Sequence, residues 1–237
     1  MKKFLLVPAL CLMALVFVFG TEIGVSTVQA ATRVHAHIYY STKVQRGFGA
    51  GYAFIKYPQI SGLKNEPAQR RVNQTLKHEA IHFYNVRKVF LKQNPTFKAD
   101  GEISKSQGGL SYKIRYLHGN RLSVEFSENL YSGGGAHGSE DTVIYNFDLT
   151  SGNTIALRSN FKSPAAYTAA NHYAQTYMKK HSDQYPFAFQ NGTTNIYHHY
   201  YYWTAHGLRV EFQEYEVAAY AAGHPTVFIP EKYLTHH

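Results

Sequence analysis

The segment NEPAQRRVNQTLKHEAIHFYNVRKVF (residues 65–90) predicts the first long helix of the chain. Asn65 is of a residue type favoured at the N-cap position of a helix, and Pro67 suits the first helical turn, where no backbone N–H is needed. Apolar residues then recur every three or four positions along one face of the helix. They are Val72, Leu76, Ala80, Phe83, Val86 and Phe90. We expect this apolar stripe to pack against a β-sheet.

The same helix contains H-E-x-x-H, formed by His78, Glu79 and His82. In zinc peptidases this spacing binds the metal and supplies a general base. Both histidines, however, lie off the apolar stripe on the face expected to meet solvent, and the third ligand is undetermined between Glu102 and Glu128. We therefore expect no catalytic residue, no metal and no cofactor. The alternative is a zinc metallopeptidase with Glu79 as base and the two histidines as zinc ligands.

The N-terminus has the pattern of a secretory signal peptide over residues 1–30. A basic start is followed by sixteen almost wholly apolar residues, 4–19, and by small residues up to Ala30. A membrane span needs about 20 apolar residues, so we expect no transmembrane segment. Cys11 is the only cysteine, and the mature chain must fold without disulfides. We expect a secreted, extracellular protein, with association to the cell wall as a further option.

The charge balance is basic. The chain has a net charge of +9, and removal of the signal peptide with Lys2, Lys3 and Glu22 leaves +8. Such a chain is attracted to polyanions such as wall polymers. It contains no nucleic-acid-binding motif, so we do not expect nucleic acid as a partner.

The mature chain predicts an α+β fold, with antiparallel β-hairpins and sheets and two long packed α-helices. One hairpin joins residues 112–117 to 122–126. A second helix covers residues 165–180, and a second hairpin joins residues 200–203 to 208–212.

Several short motifs resemble a known family. They are YPQISGL (57–63), YSGGGAHG (131–138), YNFD (145–148), VEF (210–212), YEV (215–217), YAAG (220–223) and VFIP (227–230). In this order they are similar to the extracellular module shared by the anti-sigma factor RsiV and the wall-modifying deacetylase PdaC. The resemblance divides the mature chain into a PdaC-like region, 31–105, and an RsiV-like region, 106–237. The two regions form either separate domains or one continuous globular unit.

The resemblance implies binding rather than catalysis. The outer module of RsiV captures lysozyme, and the corresponding part of PdaC is an accessory module. We find no deacetylase domain in this sequence, so the resemblance does not imply deacetylation. It implies a secreted, non-enzymatic binding module of a Gram-positive-type cell envelope. The expected partner is a lysozyme-like protein, peptidoglycan or an anionic wall polymer.

Two stretches supply the candidate binding residues. The glycine-rich stretch exposes backbone N–H groups and has an acidic neighbour, whereas the aromatic run offers rings that stack on sugars or fill interfaces. The structural alternatives are a tight turn that needs positive φ and cross-strand packing. The candidate ligand-binding residues are Glu128, Tyr131, Gly133, Gly134, Gly135, His137, Tyr200, Tyr202 and Trp203.

Overall fold

We describe a computed structural model of the chain over residues 32–44, 51–94, 96–99, 102–190, 192 and 194–235. The predicted signal peptide, residues 1–30, lies outside these residues. Within them, no helix combines the length and the apolar character that a membrane span requires.

The described residues form ten strands and two α-helices, as the α+β prediction requires. The helices are α1 (Glu66–Gln93) and α2 (Pro164–Lys180). The strands are β1 (Arg33–Val44), β2 (Gly51–Ser61), β3 (Thr96–Ala99), β4 (Glu102–Lys105), β5 (Gln107–His118), β6 (Arg121–Tyr131), β7 (Ser139–Asp148), β8 (Tyr200–Thr204), β9 (Gly207–Glu211) and β10 (Thr226–Pro230). Both predicted hairpins are present, as β5–β6 and β8–β9.

The large sheet has the strand order β1-β2-β5-β6-β7. All neighbours are antiparallel except β2 and β5, which are parallel and pair at Ile55 and Leu110. The pair is parallel because the chain leaves β2 through α1 and returns in the same direction. The sequence analysis predicted only antiparallel hairpins and sheets, so this pair was not predicted. The strands β9, β8 and β10 form a smaller sheet, and β3 pairs with β4.

Helix α1 covers one face of the large sheet. The Asn65 side chain caps it by accepting from the Ala68 N–H at 3.2 Å. Four members of the predicted stripe are fully buried, namely Val72, Leu76, Ala80 and Phe83. Beyond Phe83 the buried position is Arg87, whose Nε donates to the Gly108 carbonyl at 2.9 Å. The predicted Val86 and Phe90 are only half-buried, because the face towards the sheet passes through position 87.

A second apolar core lies between α2 and the small sheet. Tyr201, Trp203, Leu208 and Val210 point into it from β8 and β9. Ala170, Ala174 and Met178 of α2 close it from the other side. The part of the chain from Ala31 onwards forms one compact unit, in which the two cores are separate clusters of buried side chains.

Side chains of the large sheet cover the free edge of β8. The Asn146 amide donates to the Tyr201 carbonyl at 2.6 Å, and the Trp203 N–H donates to Ser123 Oγ at 3.2 Å. Ser123 Oγ in turn donates to Asn146 Oδ1 at 2.6 Å. These bonds satisfy backbone groups that a sheet edge otherwise leaves unpaired, and they join the two sheets.

Asn146→Ala should therefore lower the free energy of unfolding by about 2–3 kcal/mol, because it leaves buried polar groups without partners. Urea denaturation followed by circular dichroism measures the change. The control is Asn129→Ala on the neighbouring strand, where the side chain is exposed and should cost about 0.5 kcal/mol or less. Equal losses for the two variants would show that the edge contacts do not stabilise the fold.

Candidate functional site: an acidic, aromatic cleft beside a glycine-rich turn

The glycine-rich stretch, residues 131–138, connects β6 to β7. Gly134 has a φ of 84°, which side chains rarely adopt. A Cβ atom on Gly138 would lie only 2.8 Å from the Leu130 carbonyl oxygen. Both positions therefore need glycine for the shape of the turn, as the structural alternative predicted.

Hydrogen bonds hold the turn in place. The Tyr131 hydroxyl donates to the Gly135 carbonyl at 3.1 Å, and the Gly133 N–H donates to Ser106 Oγ at 2.9 Å. The candidate residues of this stretch are therefore internally bonded. The Gly133 N–H and the Gly135 N–H, which donates to the Ser132 carbonyl, are already bonded within the protein, so the stretch does not offer a row of free N–H groups.

A cleft of about 620 Å³ opens beside the turn. The His137 ring stacks on Tyr220 with centroids 4.0 Å apart and planes 24° apart. Tyr215 lies 6.0 Å from Tyr220, between ring centroids, and its hydroxyl is 3.4 Å from His137 Nε2. Tyr215 is 53% exposed, which is high for a large aromatic side chain. The three rings form an aromatic patch at the mouth of the cleft, suited to stacking or to an interface.

The lining of the cleft is acidic. Glu140 and Glu214 contribute carboxylates, and no lysine or arginine is among the lining residues that the structure describes. Since the chain is basic overall, this local negative charge differs in sign from the net charge of the protein. An acidic cleft attracts cationic groups and repels anionic polymers.

The segment that carries Tyr215 and Tyr220 is fixed to the free edge of β7. The Gln213 amide donates to the Thr142 carbonyl at 2.9 Å and accepts from the Thr142 N–H at 3.0 Å. The Glu140 N–H donates to the Glu214 carboxylate at 3.2 Å. These side chains replace a neighbouring strand and set the position of the aromatic patch.

Glu128 does not belong to the cleft. It lies on the face of β6 that meets α1, where its carboxyl group lies within hydrogen-bonding reach of Glu79. Burial, the bond to Glu79 and the charges of Glu79 and Asp141 raise the pKa of Glu128 to about 8. The Tyr145 hydroxyl donates to Glu79 Oε2 at 2.5 Å. The structure thus pairs two carboxyl groups that the sequence analysis treated separately.

The H-E-x-x-H match divides between two environments. His78 and His82 are exposed, as the position of the stripe predicted. Glu79, in contrast, is only 5% exposed and accepts a hydrogen bond from the Tyr145 hydroxyl. Glu79 is therefore buried while the two imidazoles are exposed. In a zinc peptidase the glutamate has to reach a water molecule on the metal that the imidazoles hold. No group of three or more His, Cys, Asp or Glu side chains in the described part of the chain is arranged to hold a metal ion.

The aromatic run alternates as a strand requires. Tyr201 and Trp203 point into the second core, and Trp203 is 4% exposed with Nε1 donating to Asn160 Oδ1 at 2.9 Å. Trp203 was predicted as a binding residue, but its side chain belongs to the second core. Tyr200 is 37% exposed, and Tyr202 is half-buried beneath the Arg115 guanidinium, 5.0 Å from its ring centroid.

The candidates did not include Glu214 and Tyr220, which line the cleft, or Tyr215, which lies beside it against His137. Both tyrosines occur in motifs that carry the family resemblance. Nothing in the local sequence connects them to a turn about 80 residues earlier, because that contact depends on the path of the chain.

Comparison with known proteins identifies two domains. Residues 52–140 match the family described as Deacetylase PdaC, and residues 156–232 match the family described as Protein of unknown function (DUF3298). No curated protein matches the chain significantly.

Two solved structures of the DUF3298 family resemble the fold. The protein from Bacteroides fragilis is 16% identical with a TM-score of 0.60, and the match covers 86% of this chain and 92% of that one. The protein from Pseudomonas aeruginosa is 16% identical with a TM-score of 0.53, covering 84% and 92%. At these identities the likeness concerns the fold alone. The chain therefore contains a PdaC domain followed by a DUF3298 domain, which is the family that its sequence motifs indicated.

Proposed function

We propose that the chain is a secreted, non-enzymatic binding module of the cell envelope that recognises a basic, lysozyme-like protein through the cleft beside the glycine-rich turn. The two domains support a role related to the cell envelope. The observation that carries the choice of partner is the lining of the cleft, where an exposed aromatic patch adjoins Glu140 and Glu214. Tyrosines of this kind dominate the energetics of protein interfaces.

Electrostatics supports a basic protein over the other expected partners. A basic protein gains attraction from the two carboxylates, whereas an anionic wall polymer meets repulsion inside the cleft. The net positive charge of the chain still opposes a basic partner at long range and so slows association. We therefore expect binding that depends on close contact at the cleft, with an association rate that rises as added salt screens the repulsion.

Tyr215→Ala should weaken binding of a basic animal lysozyme about 30-fold, because truncating a central interface tyrosine costs about 2 kcal/mol. Isothermal titration calorimetry with purified lysozyme measures the affinity. The matched control is Val89→Ala on α1, an apolar side chain that is 57% exposed and is not among the residues that line the cleft. This control should bind like the parent chain.

Parallel pull-downs with peptidoglycan and with an anionic wall polymer test the other partners. Retention by either of these but not by lysozyme would replace the proposed partner. Absence of retention by all three at physiological salt would contradict a binding role in the envelope.

A further inference from the structure

A pocket of about 350 Å³ lies between the β5–β6 turn and the β8–β9 turn. It is lined by Tyr116 and His118 at the end of β5, by Arg121 at the start of β6 and by Thr204 at the end of β8, among others. The acidic cleft, in contrast, is lined by residues at the start of β5 and the end of β6. The two cavities therefore lie at opposite ends of the β5–β6 hairpin. A pocket of this size holds a small ligand or the end of a longer one.

Arg121 is a half-buried cation of this pocket. Its guanidinium lies over the Trp203 ring, 4.6 Å from the ring centroid. Its Nη1 donates to Asn160 Oδ1 at 3.5 Å, and this oxygen also accepts from Trp203 Nε1 at 2.9 Å. Burial lowers the pKa of Arg121, because it removes water from the charged guanidinium. Since a guanidinium has five N–H donors in a planar fork, Arg121 can still donate to an oxyanion in the pocket.

No carboxylate of the described residues forms an ion pair with Arg121. Asp148 stands opposite Arg121 in the β6–β7 register and attracts it. The Asp148 carboxylate, however, accepts from the Thr150 N–H at 2.9 Å and from the Ser151 hydroxyl at 2.8 Å, and these bonds hold it in the turn after β7. Glu231 also lines the pocket, but its side chain is exposed. The charge of Arg121 is therefore open to direct pairing with an anionic ligand.

Two further lining residues complement the cation. The hydroxyl oxygen of Thr204 is buried and has no hydrogen-bond partner among the described groups, which is costly unless a ligand completes it. Tyr116 is half-buried, and its ring centroid lies 6.1 Å from that of Trp203. The Tyr116 ring offers an apolar surface next to the charge. The pocket thus suits an oxyanion that is attached to a small apolar group or a sugar.

The charges of the pocket favour a carboxylate over a phosphate. Arg121 is the only arginine or lysine among the lining residues that the structure describes. A carboxylate has one negative charge, and its two oxygens match the guanidinium fork. A phosphate monoester carries about −1.5 to −2 charges at neutral pH, and Glu231 in the lining repels the additional charge.

We propose that Arg121, Thr204 and Tyr116 form a second binding site, which holds the carboxylate group of a small ligand. In this site Arg121 pairs with the carboxylate oxygens, the Thr204 hydroxyl donates to one of them, and Tyr116 contacts the part of the ligand next to the carboxylate. Both the C-terminus of a peptide and an acidic sugar carry this group. The site goes beyond the proposed function, because it is separate from the cleft and takes a ligand of the opposite charge.

Trp203 can report on this site, because it lines the pocket beneath Arg121 and is the only tryptophan of the chain. N-acetylalanine, which models a peptide C-terminus, and glucuronic acid, an acidic sugar, are titrated at constant ionic strength while tryptophan fluorescence is recorded. At least one of them should cause a saturable change with a Kd of about 1 mM, as expected for a small ligand with one ion pair. The neutral counterparts, N-acetylalanine amide and glucose, should bind about tenfold more weakly or less. The acid that binds more tightly identifies the source of the carboxylate.

Four variants test the roles of the residues. Arg121→Met should weaken binding of the carboxylate about tenfold or more, whereas Arg70→Met, which removes the same charge from the surface of α1, should bind like the parent. Thr204→Val keeps the shape of the side chain and should weaken binding about fivefold, the effect of one hydrogen bond. Because the Thr204 hydroxyl has no partner in the described part of the chain, this variant should resist urea as well as the parent does. Glu231→Gln removes a repelling charge and should strengthen binding about twofold.

Equal affinity for the acids and their neutral counterparts would overturn the proposal. So would parent-like binding by Arg121→Met or by Thr204→Val, or inorganic phosphate that binds more tightly than both acids. The absence of a saturable change up to about 50 mM of either acid would also overturn it. Tyr215→Ala, which changes the aromatic patch, should bind the carboxylate like the parent chain, and this result would separate the site from the cleft.

Discussion

Arg115→Met is expected to lower the free energy of unfolding by about 3–5 kcal/mol, the cost of leaving a buried charge without its partner. The guanidinium of Arg115 contacts both oxygens of the Glu125 carboxylate, with Nη2 donating to Oε1 at 2.8 Å and Nε donating to Oε2. Glu125 is 1% exposed and lies on the face of β6 opposite Glu128. Lys113 is the other cation close to it, at 3.8 Å. Its ammonium is too exposed to replace a buried bidentate pair.

Urea denaturation at pH 7 measures the loss, and Arg70→Met is the matched control. Arg70 pairs with Glu66 at 3.2 Å on the surface of α1, where both side chains are more than half exposed. Such a pair contributes about 0–1 kcal/mol. The double variant Arg115→Met with Glu125→Met should recover much of the loss, because an apolar pair removes the buried charge. Equal effects of Arg115→Met and Arg70→Met would contradict the argument.

Glu211→Gln should stabilise the protein at pH 8 and have little effect near pH 4. Glu211 is 1% exposed, and burial followed by the charge of Glu125 raises its pKa from 4.5 to about 7. The hydroxyl of Thr142 and the charges of Arg115 and His224 oppose this shift only in part.

The sign follows from proton linkage. The folded chain binds the proton of Glu211 more tightly than the unfolded chain does, so this contribution to stability is complete below about pH 4.5. It is lost as the pH rises through about 7, and the loss amounts to about 3 kcal/mol. A glutamine stays neutral at every pH and avoids that loss.

Urea denaturation of parent and variant at pH 5, 6, 7 and 8 measures the difference at each pH. The free energy of unfolding of Glu211→Gln should exceed that of the parent by an amount that increases steadily towards pH 8. The control is Glu231→Gln, where the carboxyl group is exposed. Its free energy of unfolding should stay within about 0.5 kcal/mol of the parent value at every pH. A gap for Glu211→Gln that does not change with pH would show that Glu211 titrates normally in the folded chain.

The positions of His78, Glu79 and His82 show what helical periodicity predicts about burial on α1 and what it does not. The wheel placed His78 and His82 outside the apolar stripe, and the structure agrees. At 100° per residue, Glu79 lies about 20° from Val72, within the stripe, so its burial was open to prediction. A carboxylate among apolar residues indicates a buried acid with a partner. The identity of its partners, Tyr145 and Glu128, could not be read from the sequence of the helix.

Periodicity and caps determined the two helices, both hairpins and the α+β class, because each depends on residues within a few positions of one another. The family motifs indicated the family that the PdaC and DUF3298 matches identify. The tertiary structure alone decided that His137 stacks on Tyr220, that Glu79 meets Glu128, and that Trp203 is buried. Such contacts join residues about 50 to 80 positions apart, and they follow from how the sheets and helices pack, which no local pattern of side chains records.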